Sequence, residues 1–135
     1  MPAKVLDSFA LIAYFRDEPG AEAVEHLLVA AGRNDAPLHM TYVNYAEVKY
    51  SVVKKDGAEA WGEASRILDG LPIEFHGTSR LLADAAADFK ERFKLRLADA
   101  FALALAKEMK AELVTGDPEF KAVEKEVRIL WLKKG

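Results

Sequence analysis

Four carboxylates occupy positions in the sequence where an ordinary solvated acidic surface is not expected. Asp7, Glu47 and Asp99 have mostly apolar neighbours, and Asp99 interrupts an apolar helical stretch over residues 97–106. Asp117 directly follows a short apolar segment that is typical of a strand. Because burying an unpartnered ionised carboxylate costs several kcal/mol or more, each of these groups must be paired, protonated or bound to a cation.

A hard divalent cation is the simplest shared partner for four mutually repelling carboxylates. Mg²⁺ and Mn²⁺ take oxygen ligands, and Mg²⁺ keeps several waters while it links carboxylates to a substrate phosphate. The chain has no cysteine, which excludes thiolate metal sites and disulfides. Its three histidines, His26, His39 and His76, show no ligand spacing, so the sequence does not indicate zinc.

Each acid taken singly also has a plain structural explanation. Asp7 at a strand end is equally typical of a helix cap, and Asp117 before a proline is a common helix start. Glu47 could pair with Lys49 or Arg80, and Asp99 could cap its own helix. The four together are much less common than any one of them, so the pattern favours a shared site.

The elements that must position these acids alternate between strand and helix. Strands are predicted over residues 4–6, 38–43, 73–76, 112–115 and 127–132, and all but the last are followed by helical sequence. Apolar periodicity predicts helices over residues 21–31, 44–54, 58–68, 80–93 and 98–109. This alternation predicts a three-layer α/β/α domain with a five-stranded, mainly parallel sheet.

The predicted elements bring the four acids towards one edge of that sheet. Asp7 and Asp117 close two strands, whereas Glu47 and Asp99 fall in the opening turns of helices. In open sheets of this kind, ligands bind outside the carboxyl ends of the strands. A metal site is therefore expected at that edge.

Length and composition limit what the chain can be. At 135 residues it has the size of one domain, expected to span residues 1–135. The longest apolar run near the N-terminus, residues 9–15, is too short to span a membrane, and no signal peptide is evident. We therefore expect a cytoplasmic protein with no membrane partner. The net charge of −3 gives no global attraction for nucleic acid, so any such binding needs a local basic patch.

One basic run precedes the third acid in the sequence. Lys90, Arg92, Lys94 and Arg96 all lie just before Asp99. They are equally typical of an exposed helix end and of an electrostatic track for an RNA backbone. Both interpretations stay open at this point.

The order and spacing of four segments resemble the PIN-domain nucleases. The segments are residues 5–12, 44–47, 97–104 and 114–120, which together extend over essentially the whole chain. Within that family the chain is most similar to the VapC-type toxins of bacterial and archaeal toxin–antitoxin pairs. No single segment is specific, but the ordered set of four is.

The resemblance implies a Mg²⁺- or Mn²⁺-dependent endoribonuclease that hydrolyses RNA, is usually a homodimer and is inhibited by a cognate antitoxin protein. The family's four acids fall on Asp7, Glu47, Asp99 and Asp117. We expect Asp7 and Asp99 to be the most direct metal ligands. Glu47 and Asp117 would bind through water, hold a second ion or act as general base.

The resemblance also assigns supporting positions. The family's polar helpers fall on Ser8 and Thr115. Gly116 stands where an arginine is frequent in the family, so one possible phosphate contact is missing.

Other protein classes fit the sequence less well. A phosphatase of the haloacid-dehalogenase type needs a second aspartate two residues after Asp7, where this chain has Phe9. A phosphoryl-receiver domain needs paired acids near the first strand and a lysine after the last, and neither stands out. Two alternatives remain open: a housekeeping RNA-processing PIN nuclease, and a non-catalytic PIN-like module that binds RNA or protein.

Overall fold

Five strands and six α-helices form the part of the chain that the computed structural model describes, residues 2–132. The strands are β1 (Lys4–Leu6), β2 (Leu38–Thr41), β3 (Ile73–His76), β4 (Glu112–Thr115) and β5 (Ile129–Trp131). The helices are α1 (Ser8–Arg16), α2 (Ala21–Arg33), α3 (Tyr42–Asp56), α4 (Ala58–Asp69), α5 (Arg80–Phe93) and α6 (Leu97–Met109). A 3₁₀ helix over Pro118–Val123 follows β4.

The strands form one sheet in the order β3-β2-β1-β4-β5, and each neighbouring pair is parallel. Successive side chains of a strand point to opposite faces. Val5 and Leu113 belong to a core with α5 and α6, whereas Leu6 and Val114 belong to a second core with α1 to α4. The predicted three-layer α/β/α fold with a five-stranded parallel sheet is confirmed.

The predicted bounds of two strands are wrong. The second strand was expected to continue to residue 43 but ends at Thr41. The Thr41 hydroxyl accepts the backbone N–H of Asn44 at 2.9 Å, a helix cap that starts α3 at Tyr42. Glu47 therefore lies in the second turn of α3 and not in its opening turn. The last strand, expected over residues 127–132, is limited to Ile129–Trp131.

Helix α6 is the central support of the acidic edge. Eight of its residues are buried, among them Asp99, and it packs against β1, β2 and β4 as well as against α5. No helix within residues 2–132 combines the length and apolarity needed to cross a bilayer.

A buried asparagine joins three helices at the same edge. Asn44 is fully buried, and its amide group donates hydrogen bonds to the Ser8 hydroxyl at 2.9 Å and to the Ala98 carbonyl at 3.1 Å. Its amide oxygen accepts a hydrogen bond from the Thr41 hydroxyl. Because buried polar groups are costly unless every partner is present, this network fixes the starts of α1, α3 and α6 relative to one another.

Candidate metal centre

Asp7 is held by hydrogen bonds to both of its carboxylate oxygens. One oxygen accepts the backbone N–H of Ala10 at 2.9 Å, so Asp7 is the N-cap of α1. The other accepts the Thr115 hydroxyl at 2.5 Å. The side chain is almost completely buried. The cap and the shared acidic edge, which the sequence presented as alternatives, therefore occur together in one residue.

Asp99 presents an unsatisfied oxygen to the same edge. It lies in the first turn of α6 and is buried, but it does not cap the helix, whose N-cap position is Arg96. Its Oδ2 atom accepts no hydrogen bond from any residue in the described part of the chain. The Arg96 Nε atom lies 3.4 Å away, within ion-pair distance but without the geometry of a hydrogen bond.

Asp117 and Glu119 complete a tight acidic group with Asp99. Ligand oxygens of these three residues all lie within 4.8 Å of one another. The Oδ1 atom of Asp117 caps the 3₁₀ helix by accepting the Glu119 N–H at 2.9 Å, and the Asp117 N–H donates to the Thr115 hydroxyl at 3.0 Å. Thr115 thereby connects Asp7 to Asp117.

Arg96 supplies the counter-charge of this acidic group. Its guanidinium lies 3.0 Å from the Asp117 carboxylate and 3.9 Å from that of Glu119, in addition to its contact with Asp99. The side chain is 67% exposed, so it covers the carboxylates from the solvent side. The three carboxylates raise the pKa of Arg96, with Asp99 contributing most.

Glu47 contributes charge to the site without an ion pair of its own. It is half-buried on α3, and within residues 2–132 it forms no ion pair with Lys49 or Arg80. Its negative charge nevertheless acts on both Asp99 and Arg96. All four predicted acids thus lie at one edge of the sheet, although Asp7 and Glu47 are not part of the tight three-residue group.

Burial and crowding raise the pKa values of the two most enclosed acids. Loss of solvation raises the pKa of Asp7 to about 8, opposed by the hydrogen bonds from Thr115 and Ala10 and reinforced by the charges of Asp99 and Asp117. Burial likewise raises the pKa of Asp99 to about 6, although Arg96 opposes the shift. Both carboxyls are therefore costly to ionise without a further cation.

The two predicted supporting residues, Thr115 and Ser8, have different contacts. Thr115 touches Asp7 directly, whereas Ser8 is linked to Asn44. At Gly116, an added Cβ would overlap the ring of Phe9. A side chain at position 116 would therefore require the Phe9 ring to move.

The basic run divides into separate parts. The Lys90 ammonium donates to the Leu95 carbonyl at 2.9 Å, and the Arg92 guanidinium stacks on the Phe93 ring at 4.8 Å. Lys94 follows the last residue of α5, is 80% exposed and pairs with Glu91 in the last turn of that helix. Of the four, Arg96 is the residue that reaches the acidic group.

Two participating residues were not assigned a role from the sequence. Glu119 also lies within a segment that resembles the family, residues 114–120, but its proximity to Asp99 depends on the 3₁₀ turn after Asp117. Asn44 carried a recognisable signal, because it stands within a segment that resembles the family, yet its contacts with Ser8 and Ala98 depend on long-range packing.

The donor set fits a hard divalent cation. The available groups are carboxylates, one buried oxygen has no hydrogen-bond partner, and the present counter-charge is an exposed, displaceable arginine. Oxygen-rich sites of this kind suit Mg²⁺ or Mn²⁺. Asp99, Asp117 and Glu119 would hold the ion, with Asp7 and Glu47 adding charge beside them.

The protein is a three-layer α/β/α domain with a parallel sheet, and an acidic group lies at the carboxyl ends of the strands. The chain belongs to the PIN-domain family, whose model matches residues 4–126. No curated protein matches the chain in sequence.

Solved structures share the fold at low sequence identity. The DNA-bound VapBC complex of Salmonella typhimurium has a chain that is 16% identical, with a TM-score of 0.75 and coverage of 98% of this chain and 99% of that one. A chain of VapBC2 of Rickettsia felis, bound to a promoter DNA fragment, is 17% identical, with a TM-score of 0.71 and coverage of 97% of each chain. A chain of a toxin–antitoxin complex of Klebsiella pneumoniae is 22% identical, with a TM-score of 0.65 and coverage of 87% of this chain and 90% of that one. At these identities the similarity establishes the fold.

The raised pKa of Asp7 predicts how stability depends on pH in metal-free protein. The pKa of Asp7 is about 4 in the unfolded chain and about 8 in the folded protein. Between these two pH values, the folded state keeps a proton that the unfolded chain has lost. Stability should therefore fall as the pH rises through this range. In chelator at about pH 8, Asp7→Asn should melt several degrees above the wild type, and at about pH 4 the difference should disappear.

Thermal unfolding across this pH range, with Asp69→Asn as the exposed control, measures the effect. Excess Mn²⁺ should raise the melting temperature of the wild type at the upper end of the range and leave Asp7→Asn less affected. A wild-type stability that rises with pH in chelator would contradict the assignment.

Removal of Arg96 should strengthen metal binding, because a bound cation must displace its guanidinium. We expect Arg96→Ala to bind Mn²⁺ about two- to fivefold more tightly at low ionic strength, since exposed ion pairs contribute about 1 kcal/mol or less. Lys94→Ala is the matched control, because Lys94 pairs with Glu91 away from the acids. Calorimetric titration measures both variants, and weaker Mn²⁺ binding in Arg96→Ala would show that the arginine supports the site and does not compete for it.

Proposed function

We propose that this PIN-domain protein is a Mg²⁺- or Mn²⁺-dependent endoribonuclease, acting as one domain and as the toxin of a toxin–antitoxin pair. The observation that carries the proposal is the buried Oδ2 atom of Asp99, which accepts no hydrogen bond within residues 2–132 and lies beside the carboxylates of Asp117 and Glu119. A purely structural acid would have its hydrogen bonds satisfied. An oxygen that is buried, charged when ionised and open to a cation is what a metal-dependent hydrolase requires.

A bound divalent ion would supply Lewis acidity towards a phosphoryl oxygen and would acidify the attacking water. The protein's own groups hold the carboxylates ready for it. Thr115 and the Ala10 N–H fix Asp7, while the Asn44 network fixes the helix that carries Asp99. This preorganisation reduces the cost of assembling a repulsive ligand set at the time of binding.

Glu47 is the proposed proton acceptor from the attacking water. Both oxygens of Asp117 already have partners, in the Glu119 N–H and in Arg96. Glu47 has no ion-pair partner within residues 2–132, and its charge reaches Asp99. Glu47 is therefore better suited to act as a general base than Asp117, whose two carboxylate oxygens already have hydrogen-bond partners.

Arg96 is the proposed contact for the RNA backbone. Once a metal ion neutralises the carboxylates, its exposed guanidinium is free to bind a phosphate, in the bidentate way that arginine allows. Arg96 would thereby replace the phosphate contact that is missing at Gly116. Lys94 is exposed enough to assist, whereas Lys90 and Arg92 have structural partners.

The toxin role is supported by the fold neighbours, whose structures are toxin–antitoxin complexes. We propose an antitoxin protein as partner, a homodimeric assembly and a cytoplasmic location, where the RNA substrate is found. A housekeeping RNA-processing nuclease is the competing role. A small gene directly upstream, whose product copurifies with this chain and blocks its activity, distinguishes the toxin.

The nuclease proposal is tested with purified protein, Mn²⁺ and end-labelled RNA of mixed sequence, including structured and single-stranded regions. The wild type should cleave internally, and chelation should stop cleavage. Asp99→Asn should lose at least about 100-fold in rate, because even outer-shell changes at metal sites cost about 10- to 100-fold. Asp69→Asn, at an exposed helix end, should cleave at the wild-type rate.

Circular dichroism and melting in chelator verify that Asp99→Asn is folded. Cleavage that persists in chelator would overturn the metal dependence. Binding of RNA without cleavage under any divalent metal would instead favour the non-catalytic module.

A further inference from the structure

Three potential ligand residues meet on two neighbouring strands, away from the acidic centre. In the sheet register His39 of β2 lies opposite Glu74 of β3, and His76 follows two residues after Glu74. Side chains two apart on a strand share a face, so all three project from the same side of the sheet. The intervening residues of both strands pack into the opposite core. The parallel register thus assembles a group that sequence spacing does not reveal.

The ligand atoms of these residues converge. The His39 Nδ1 atom lies 2.9 Å from the His76 Nε2 atom, which lies 3.8 Å from the Glu74 Oε1 atom. One ligand atom from each of the three residues lies within 4.8 Å of the other two. Two ring nitrogens on one tetrahedral zinc ion, with bonds of about 2.0–2.1 Å, are separated by about 3.3 Å. The two ring nitrogens would therefore have to move apart by only a few tenths of an ångström to hold the ion between them.

One ring nitrogen in this group is approached by two partners. The Nε2 atom of His76 carries either one hydrogen or one lone pair, yet both His39 Nδ1 and Glu74 Oε1 face it. A direct hydrogen bond between the rings leaves the carboxylate without a role, whereas a cation uses all three groups. The position is also accessible, because the His76 and Glu74 side chains are 24% and 58% exposed.

We propose that His39, Glu74 and His76 form a zinc site that joins β3 to β2, chemically distinct from the all-oxygen acidic centre. Two imidazoles and one carboxylate, with water as a fourth ligand, suit Zn²⁺ and not Mg²⁺. Strand β3 lies at one edge of the sheet and is paired with β2. A zinc ion across this pair would anchor that edge strand through side chains as well as through the backbone.

The test uses the full chain without an affinity tag, titrated with Co²⁺ and then Zn²⁺ in excess Mg²⁺. The wild type should develop the visible absorption of four-coordinate Co²⁺, and Zn²⁺ should displace it. His76→Gln should lose the absorption and at least tenfold in Zn²⁺ affinity by calorimetry, and Glu74→Gln should lose several-fold. Zn²⁺ should raise the melting temperature of the wild type but not that of His76→Gln.

Two matched variants locate the ion. His26→Gln changes a histidine that is 75% exposed on α2, and Asp99→Asn changes the acidic centre, so both should keep the absorption. Circular dichroism verifies the fold of each variant, and the exposed Glu74→Gln provides a second test if His76→Gln does not fold. Absence of four-coordinate Co²⁺ absorption in the wild type would overturn the proposal. So would absorption that survives His76→Gln and disappears in Asp99→Asn.

Discussion

Repulsion among carboxylates that are largely withdrawn from water is the constraint on which the acidic edge depends. Burial raises the pKa values of both Asp7 and Asp99; the charges of Asp99 and Asp117 raise that of Asp7 further, and the charges of Asp117 and Glu47 raise that of Asp99 further. Hydrogen bonds to Asp7 offset part of this cost. Arg96 offsets a further part at Asp99. The remaining imbalance is what a divalent cation would relieve, so the metal affinity that we propose and the lower stability expected without metal have the same physical origin.

Such a strained group persists because the surrounding fold allows it no easy relaxation. The first oxygen of Asp7 is tied to the start of α1, and Thr115 at the end of β4 is tied to both Asp7 and Asp117. Asn44 fixes the start of α6 through the Ala98 carbonyl, one residue before Asp99. The apolar cores on both faces of the sheet supply the stability against which the acidic edge is maintained.

Local pattern was sufficient for the fold and for bringing the acids to one edge, because both follow from the alternation of strands and helices. It failed where a feature depends on partners distant in sequence. The cap by Thr41 ended β2 two residues before the predicted boundary, since cap and strand compete for the same segment. The ion pairs of Arg96 and the His39–His76 contact depend on loop geometry and strand register. The spacing of residues along the chain predicts neither the loop geometry nor the strand register.

Anomalous diffraction from crystals grown in excess Mn²⁺ tests the central claim most directly, because it locates the ion without relying on activity. We expect an anomalous peak within about 2.3 Å of carboxylate oxygens of Asp99 and Asp117, with the Arg96 guanidinium displaced from them. The absence of a peak at these carboxylates, with Arg96 still paired to Asp117 at saturating Mn²⁺, would contradict it.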